Sequence, residues 1–142
     1  MATDFDKIIK YAMDESYIGL PENYSALGAI TEEECGDTLA IGIYTERAFV
    51  HKIGYAITES ACMTVRAAAA AACSMADEKA VIAGYTITPE KIAAELSNDG
   101  RLDEEHYHCA VMASAALRRA VVDFANRQVY ENSIGNAEGM SV

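Results

Sequence analysis

No CxxC pair occurs among the four cysteines of this 142-residue chain. That spacing is how zinc ribbons, zinc fingers and thioredoxin-type redox centres present their sulfurs, so all three are disfavoured. Basic residues are also scarce, 11 Lys and Arg against 22 Asp and Glu, for a formal net charge of −11. Affinity for nucleic acid comes largely from lysine and arginine neutralising phosphates, so no nucleic-acid partner is expected. An anionic membrane surface is disfavoured on the same ground. No apolar run approaches the length of a bilayer span, because "RAAAAAACSMA" is broken by charged and polar residues. The opening "MATDFDKIIK" lacks the basic-then-apolar layout of a secretory signal. The expectation is a cytoplasmic protein whose thiols stay reduced. A glycine-rich phosphate loop, a nucleophile elbow and an HExxH pair are absent too, which removes the usual signatures of nucleotide binding and hydrolysis.

What is present suffices for one domain spanning residues 1–142, since 51% of the residues are apolar. "DFDKIIKYAM" places Phe5, Ile8, Ile9, Ala12 and Met13 on one helical face. "SALGAIT", "TLAIGIYT" and "RAFVHKIGYAIT" read as three strands, the last two joined through Thr45-Glu46-Arg47, with Cys35-Gly36-Asp37 in the turn between the first two. The chain then becomes helical. "ACMTVRAAAAAACSMA" follows Ser60 as N-cap, and "TITPEKIAAELSNDG" has Thr88 as cap, Pro89 at the first position and Gly100 past the end. The third helix runs through "HYHCAVMASAALRRAVVDFANRQ" from Asp103, and the tail from about residue 128 is expected to be loose. The fold class is therefore α+β: an N-terminal helix, a three-stranded antiparallel sheet, and C-terminal helices packed on it.

Three thiols fall at element ends: Cys35 in a turn, Cys62 two residues after its cap, and Cys109 near the start of the last helix. Exposed N–H groups at a helix N-terminus favour thiolate, the form that binds metal and attacks sulfur. Cys73 is eleven residues beyond Cys62, roughly 16 Å along the helix axis. Metal–sulfur bonds of about 2.3 Å cannot span that distance, so Cys73 reads as core. His108 adjoins Cys109 and Asp37 follows Cys35 by two, giving Cys35, Asp37, Cys62, His108 and Cys109 as a candidate metal set. Thiolate and imidazole suit zinc, ferrous iron or an iron–sulfur cluster. Read from the residues alone, the set stays open between ligands and small buried side chains. Glu32, Glu33 and Glu34 read as a solvated acidic turn. His51 and His106 read as surface or supporting residues, and Arg66 as a solvated charge or one that steadies the site. A Cys/His hydrolase is disfavoured, because neighbouring helical residues such as His108 and Cys109 should diverge.

With these segments in order, the chain resembles the IscU/NifU-type iron–sulfur cluster scaffold proteins from about residue 8 to 127. "IIKYAMDESYIGLPENYSALG" is similar to that family's first helix and its Pro-x-Asn segment, here Pro21 and Asn23. "ECGDTLAIGIY", "ESACMTVRAAAAAA" and "HYHCAVMASAALRRAV" are similar to its three cysteine segments. The resemblance implies an IscU-like fold and a protein that is not itself an enzyme. It implies sulfur from a cysteine desulfurase, iron from a donor, a transient [2Fe–2S] cluster and delivery to recipient apo iron–sulfur proteins, with zinc able to occupy the same site. By position, Cys35, Cys62 and Cys109 are the implied cluster-binding and sulfur-accepting thiols, with Asp37 and His108 as auxiliary ligands. The protein is expected as a monomer or homodimer.

Two departures stand out. Ala61 occupies the place of a glycine before the second cysteine, and "RLDEEHYHC" stands where many IscU proteins carry the Leu-Pro-Pro-Val-Lys segment that recruits an Hsp70-type chaperone. The resemblance therefore does not carry that chaperone over as a partner. His108, and the short span between the second and third cysteines, resemble the IscU/NifU branch more than the SufU branch. The rival readings are a zinc-bearing persulfide relay and a regulatory domain in which the thiols hold structural zinc.

Overall fold

A computed structural model of the chain describes residues 5–33 and 36–140, with side chains described to residue 128. Helix α1 (Asp6–Ala12) is followed by strands β1 (Ala26–Thr31), β2 (Thr38–Glu46) and β3 (Phe49–Ile57). Helix α2 (Met63–Ala76), a 3-10 segment (Val81–Thr86), helix α3 (Pro89–Leu96) and the long helix α4 (Glu104–Met140) complete the chain. The strands form one antiparallel meander in the order β1-β2-β3, with Ala26 opposite Ile43 and Thr31 opposite Thr38. The α+β architecture expected from the sequence is the one observed.

The sheet packs on α2 and α4, which supply a layer of small side chains. Ala67 to Ala72 and Cys73 are fully buried, as are Ala110, Ala113, Ala116 and Ala120 on α4. Leu39, Ile41 and Ile43 of β2 and Tyr55 of β3 fill the space between. The alanine run thus has a packing role besides its helix propensity: methyl side chains let backbones approach where larger ones could not. Gly28 is the extreme case, since a Cβ there would lie 2.1 Å from the Ala116 carbonyl oxygen and 2.2 Å from the Ala120 nitrogen.

Local signals hold in α3 and α4. The Thr88 hydroxyl accepts from the Lys91 N–H, and an Asp103 carboxylate oxygen accepts from the His106 N–H at 2.9 Å. Three details differ from the sequence reading. The buried side of α1 is Ile8, supported by Tyr11 and Ala12, while Ile9 and Met13 face solvent. The β2–β3 turn is Arg47-Ala48, both at positive φ (53° and 64°), a two-residue hairpin conformation whose twist matches the strands. It normally announces itself with Asn-Gly or Asp-Gly, and neither is present here. The α4 backbone is helical as far as Met140, beyond the point where a loose tail was expected; no proline lies after Pro89 to stop it.

Candidate functional site

Topology brings the cysteine-bearing segments to one end of the sheet. The β1–β2 loop is closed by the Glu32 N–H donating to the Asp37 carbonyl and the Gly36 N–H donating to the Glu32 carbonyl, both at 2.8 Å. Gly36 has φ +74°, a conformation glycine adopts without steric cost. Cys35 and Glu34 lie outside the described residues.

Next to that loop, β2 and the end of β3 are tied together. The Thr38 N–H donates to Thr58 Oγ1 at 2.8 Å, and the Thr58 N–H returns to the Thr38 carbonyl at 3.1 Å. The Ala61 N–H then donates to the Thr58 carbonyl at 2.9 Å. One short path of hydrogen bonds therefore runs from Asp37 through Thr38 and Thr58 to the residue before Cys62. Thr58 had no signal in the sequence, because a hydroxyl residue at a strand end is commonplace.

Cys62 is itself the N-cap of α2 and is exposed, with no side-chain capping bond. This corrects the expectation that Ser60 caps the helix and that Cys62 lies inside its first turn. The Thr58–Ala61 bond holds residues 58–61 as a separate turn, so the helix begins at Met63. Arg66, one turn on, donates from its guanidinium to the Glu59 carbonyl at 2.8 Å and closes this turn from the helix side.

The third thiol arrives on α4, which runs antiparallel to β1. Asp123 accepts from the Leu27 N–H at 2.9 Å, and Arg119 donates to the Ala29 carbonyl at 2.7 Å. Each step along β1 therefore moves toward the start of α4. At about 3.3 Å per strand residue and 1.5 Å per helix residue, the loop after Thr31 lies roughly within a turn or two of Cys109. Cys109 is buried, and its Sγ lies 3.7 Å from Nε2 of His108. The expected divergence of these two neighbours is not what is seen: the imidazole turns back onto the sulfur.

The remaining residues separate clearly. Cys73 is fully buried, and that burial, with Asp77 adding to it, pushes its thiol far above the ordinary range. His106 completes the start of α4, with Nδ1 2.7 Å from the Asp103 carboxylate and its ring edge-on to Phe5. His51 is exposed at the opposite end of the sheet, 3.9 Å from Glu46. Among the described residues, no three His, Cys, Asp or Glu side chains are grouped so as to hold one metal ion. The described pair His108–Cys109 and the exposed Cys62 thus stand as separate donors at one end of the sheet. Among the described residues, no helix is long and apolar enough to cross a membrane.

The NifU-like N terminal domain family matches this chain over residues 4–131. Two iron–sulfur cluster assembly scaffold proteins of Archaeoglobus fulgidus, IscU 1 and IscU 2, are each 28% identical over 119 residues, covering 84% of this chain and 74% of theirs. Among solved structures, the FiSufU protein of Fervidobacterium islandicum AW-1, assigned to the SUF system of iron–sulfur cluster assembly, superposes with a TM-score of 0.69 at 12% identity, covering 82% of this chain and 94% of that one. The N-terminal part of a NifU-like protein from Brucella abortus gives 0.52 at 17% identity, covering 89% and 93%. At these identities the structural likeness is one of fold.

Proposed function

We propose that this chain, which belongs to the NifU-like N terminal domain family, is a scaffold on which an iron–sulfur cluster is built before transfer to a recipient protein. The observation that carries this reading is the placement of Cys62, Asp37 and the His108–Cys109 pair at one end of the sheet, with the Asp37 and Cys62 segments joined through the Thr38–Thr58 ties. Cys35, two residues before Asp37 in the sequence, is the third thiol of the proposed site.

The chemistry divides among these residues by exposure. Cys62 stands in solvent, so among the described thiols it is the one a cysteine desulfurase can reach. Its thiolate attacks the outer sulfur of the donor's persulfide; a new S–S bond forms, the old one breaks, and the donor leaves as thiolate. Buried Cys109, with the His108 imidazole at its sulfur, is a fixed ligand rather than a point of entry. Iron and the finished [2Fe–2S] cluster are cargo. A permanent cluster is held by four thiolates, whereas a carboxylate or imidazole in the fourth place gives a bond that a recipient's thiolate can displace. Asp37 and His108 are the proposed sources of that weaker bond.

Anaerobic incubation with ferrous iron, cysteine and a cysteine desulfurase tests the reading. The expected result is a [2Fe–2S] absorption spectrum on this protein that moves to an apo-ferredoxin. A persulfide on Cys62 without a cluster would make the protein a sulfur relay. Colourless protein with tightly held zinc would make it a structural zinc domain.

A further inference from the structure

The end of the sheet remote from the cysteines carries an apolar groove of about 390 Å³ between the β2–β3 turn, the 3-10 segment and α4. Phe49, Val81, Ile82, Val121 and Phe124 line it. Ile82 is 70% exposed and Phe49 55%, and Tyr85 and Val122 extend the apolar surface on the neighbouring face. We propose that this groove docks a short segment of a partner protein whose apolar anchors are flanked by aspartate or glutamate.

Charge selects that partner. The segments that build the groove, residues 46–50, 78–82 and 118–128, hold five basic residues against three acidic ones, in a chain that has 11 against 22. Both signs are partly engaged: Asp123 accepts from Leu27 and pairs with Arg127 at 3.0 Å, Glu46 takes the Tyr44 hydroxyl, Arg119 donates to the Ala29 carbonyl, and Arg118 is close enough to Glu90 to act on its charge. Arg118 has its guanidinium 5.2 Å from the Tyr85 ring centre, and its buried Nε has no hydrogen-bond partner. A guanidinium placed over an aromatic ring keeps its planar donor fork suited to a carboxylate. A symmetric pairing of two copies through this face would bring two locally basic surfaces together, which like-charge repulsion opposes. The groove is also separated from the cysteines by the length of β2, nine residues or roughly 30 Å, so docking and cluster chemistry do not compete for space.

The test uses the full chain, isotopically labelled, and an amphipathic helical peptide with leucine at i, i+3, i+4 and i+7 and acidic residues elsewhere. The control is the same peptide with lysine for each acidic residue. The expected result is amide shift changes confined to the groove segments, weaker binding as salt rises, and a loss of about tenfold or more in affinity for both Ile82→Asp and Arg118→Glu. Because Ile82 is exposed, Ile82→Asp should leave the fold and metal retention at the cysteine end unchanged. Equal binding of the lysine peptide, shifts at the cysteine end, or no binding at all would overturn the proposal. A concentration-dependent dimer abolished by Ile82→Asp would overturn it as well, by giving the groove to a second copy.

Discussion

Replacing Gly28 with alanine should cost this protein far more than one methyl group normally does. Gly28 faces α4 at a distance that excludes any Cβ, with the obstructing atoms belonging to the backbone at Ala116, Arg119 and Ala120. Backbone cannot rotate aside, so α4 must retreat from β1 by more than 1 Å to restore ordinary contact. That displacement pulls on the Asp123–Leu27 and Arg119–Ala29 hydrogen bonds that key the helix to the strand. Overpacking typically costs about 1–3 kcal/mol, and weakening two hydrogen bonds adds about 1 kcal/mol each. The stiffer unfolded chain returns less than about 1 kcal/mol. The expected net loss is about 3 kcal/mol, a fall of roughly 10 °C in Tm for a domain of this size. Gly42→Ala is the control on the same sheet: its nearest neighbour is the Leu20 side chain at 3.2 Å, which can yield, so the cost stays within about 1 kcal/mol. Urea unfolding followed by circular dichroism compares the two. If Gly28→Ala and Gly42→Ala have the same stability, α4 is not seated on β1 as described. Because α4 also carries His108 and Cys109, the Gly28 variant should lose affinity for metal while Gly42→Ala does not.

Other expectations follow from burial and charge. In the native state iodoacetamide should modify Cys62 quickly, while Cys73 and Cys109 wait for unfolding; equally fast labelling of Cys73, read by peptide mass, would contradict its burial. Metal content after anaerobic purification should be lost in Cys35→Ala, Cys62→Ala and Cys109→Ala and kept in Cys73→Ala, and equal loss in all four would dissolve the site. Asp37→Ala should lengthen the half-life of a reconstituted cluster, so a shorter life would remove its role as the weak ligand. Tyr11 has its phenol raised to about 12 by burial and by its hydrogen bond to Glu95. The folded state therefore favours the neutral phenol. The stability this contributes is complete below about pH 10, the ordinary tyrosine value, and is lost as pH rises toward 12. Tyr11→Phe should flatten the alkaline limb of the pH–stability curve between those values, and an unchanged limb would rule this source out.

Element type was legible wherever periodicity or capping chemistry repeated itself along the chain. Thr88-Pro89 and Asp103 announced their helices because a cap is a local device, complete within four residues. Ser60 misled for the same reason: it has cap chemistry, but the Thr58 ties across the sheet decide where residues 58–61 turn, and those bonds join positions 20 apart. The Arg47-Ala48 turn gave no signal because its left-handed conformations fall on residues that rarely adopt them. For the proposed site, the candidate residues came from the sequence, and so did the expectation that Cys73 is core, which its burial bears out. The His108–Cys109 contact was not, since it depends on a side-chain rotation that helical spacing does not fix. The closeness of α4 to β1 was invisible as well, because Gly28 and the alanines opposite it look like propensity choices until they are seen to face one another.

That close packing bears on how a scaffold can hold a cluster firmly and still release it. Cys62 and Cys109 are anchored on helices whose buried alanines leave them little room to shift. Asp37, by contrast, sits in a loop closed by two backbone hydrogen bonds, with Gly36 beside it at positive φ. On the proposed reading the helices supply the Cys62 and Cys109 thiolates, and the β1–β2 loop supplies Asp37. Moving either helix would break the helix–sheet interface on which the fold depends. The acidic run Glu32 and Glu33 at the start of that loop fits this division. Negative charge beside a thiolate cluster opposes its retention, and this charge lies on the loop side of the proposed site.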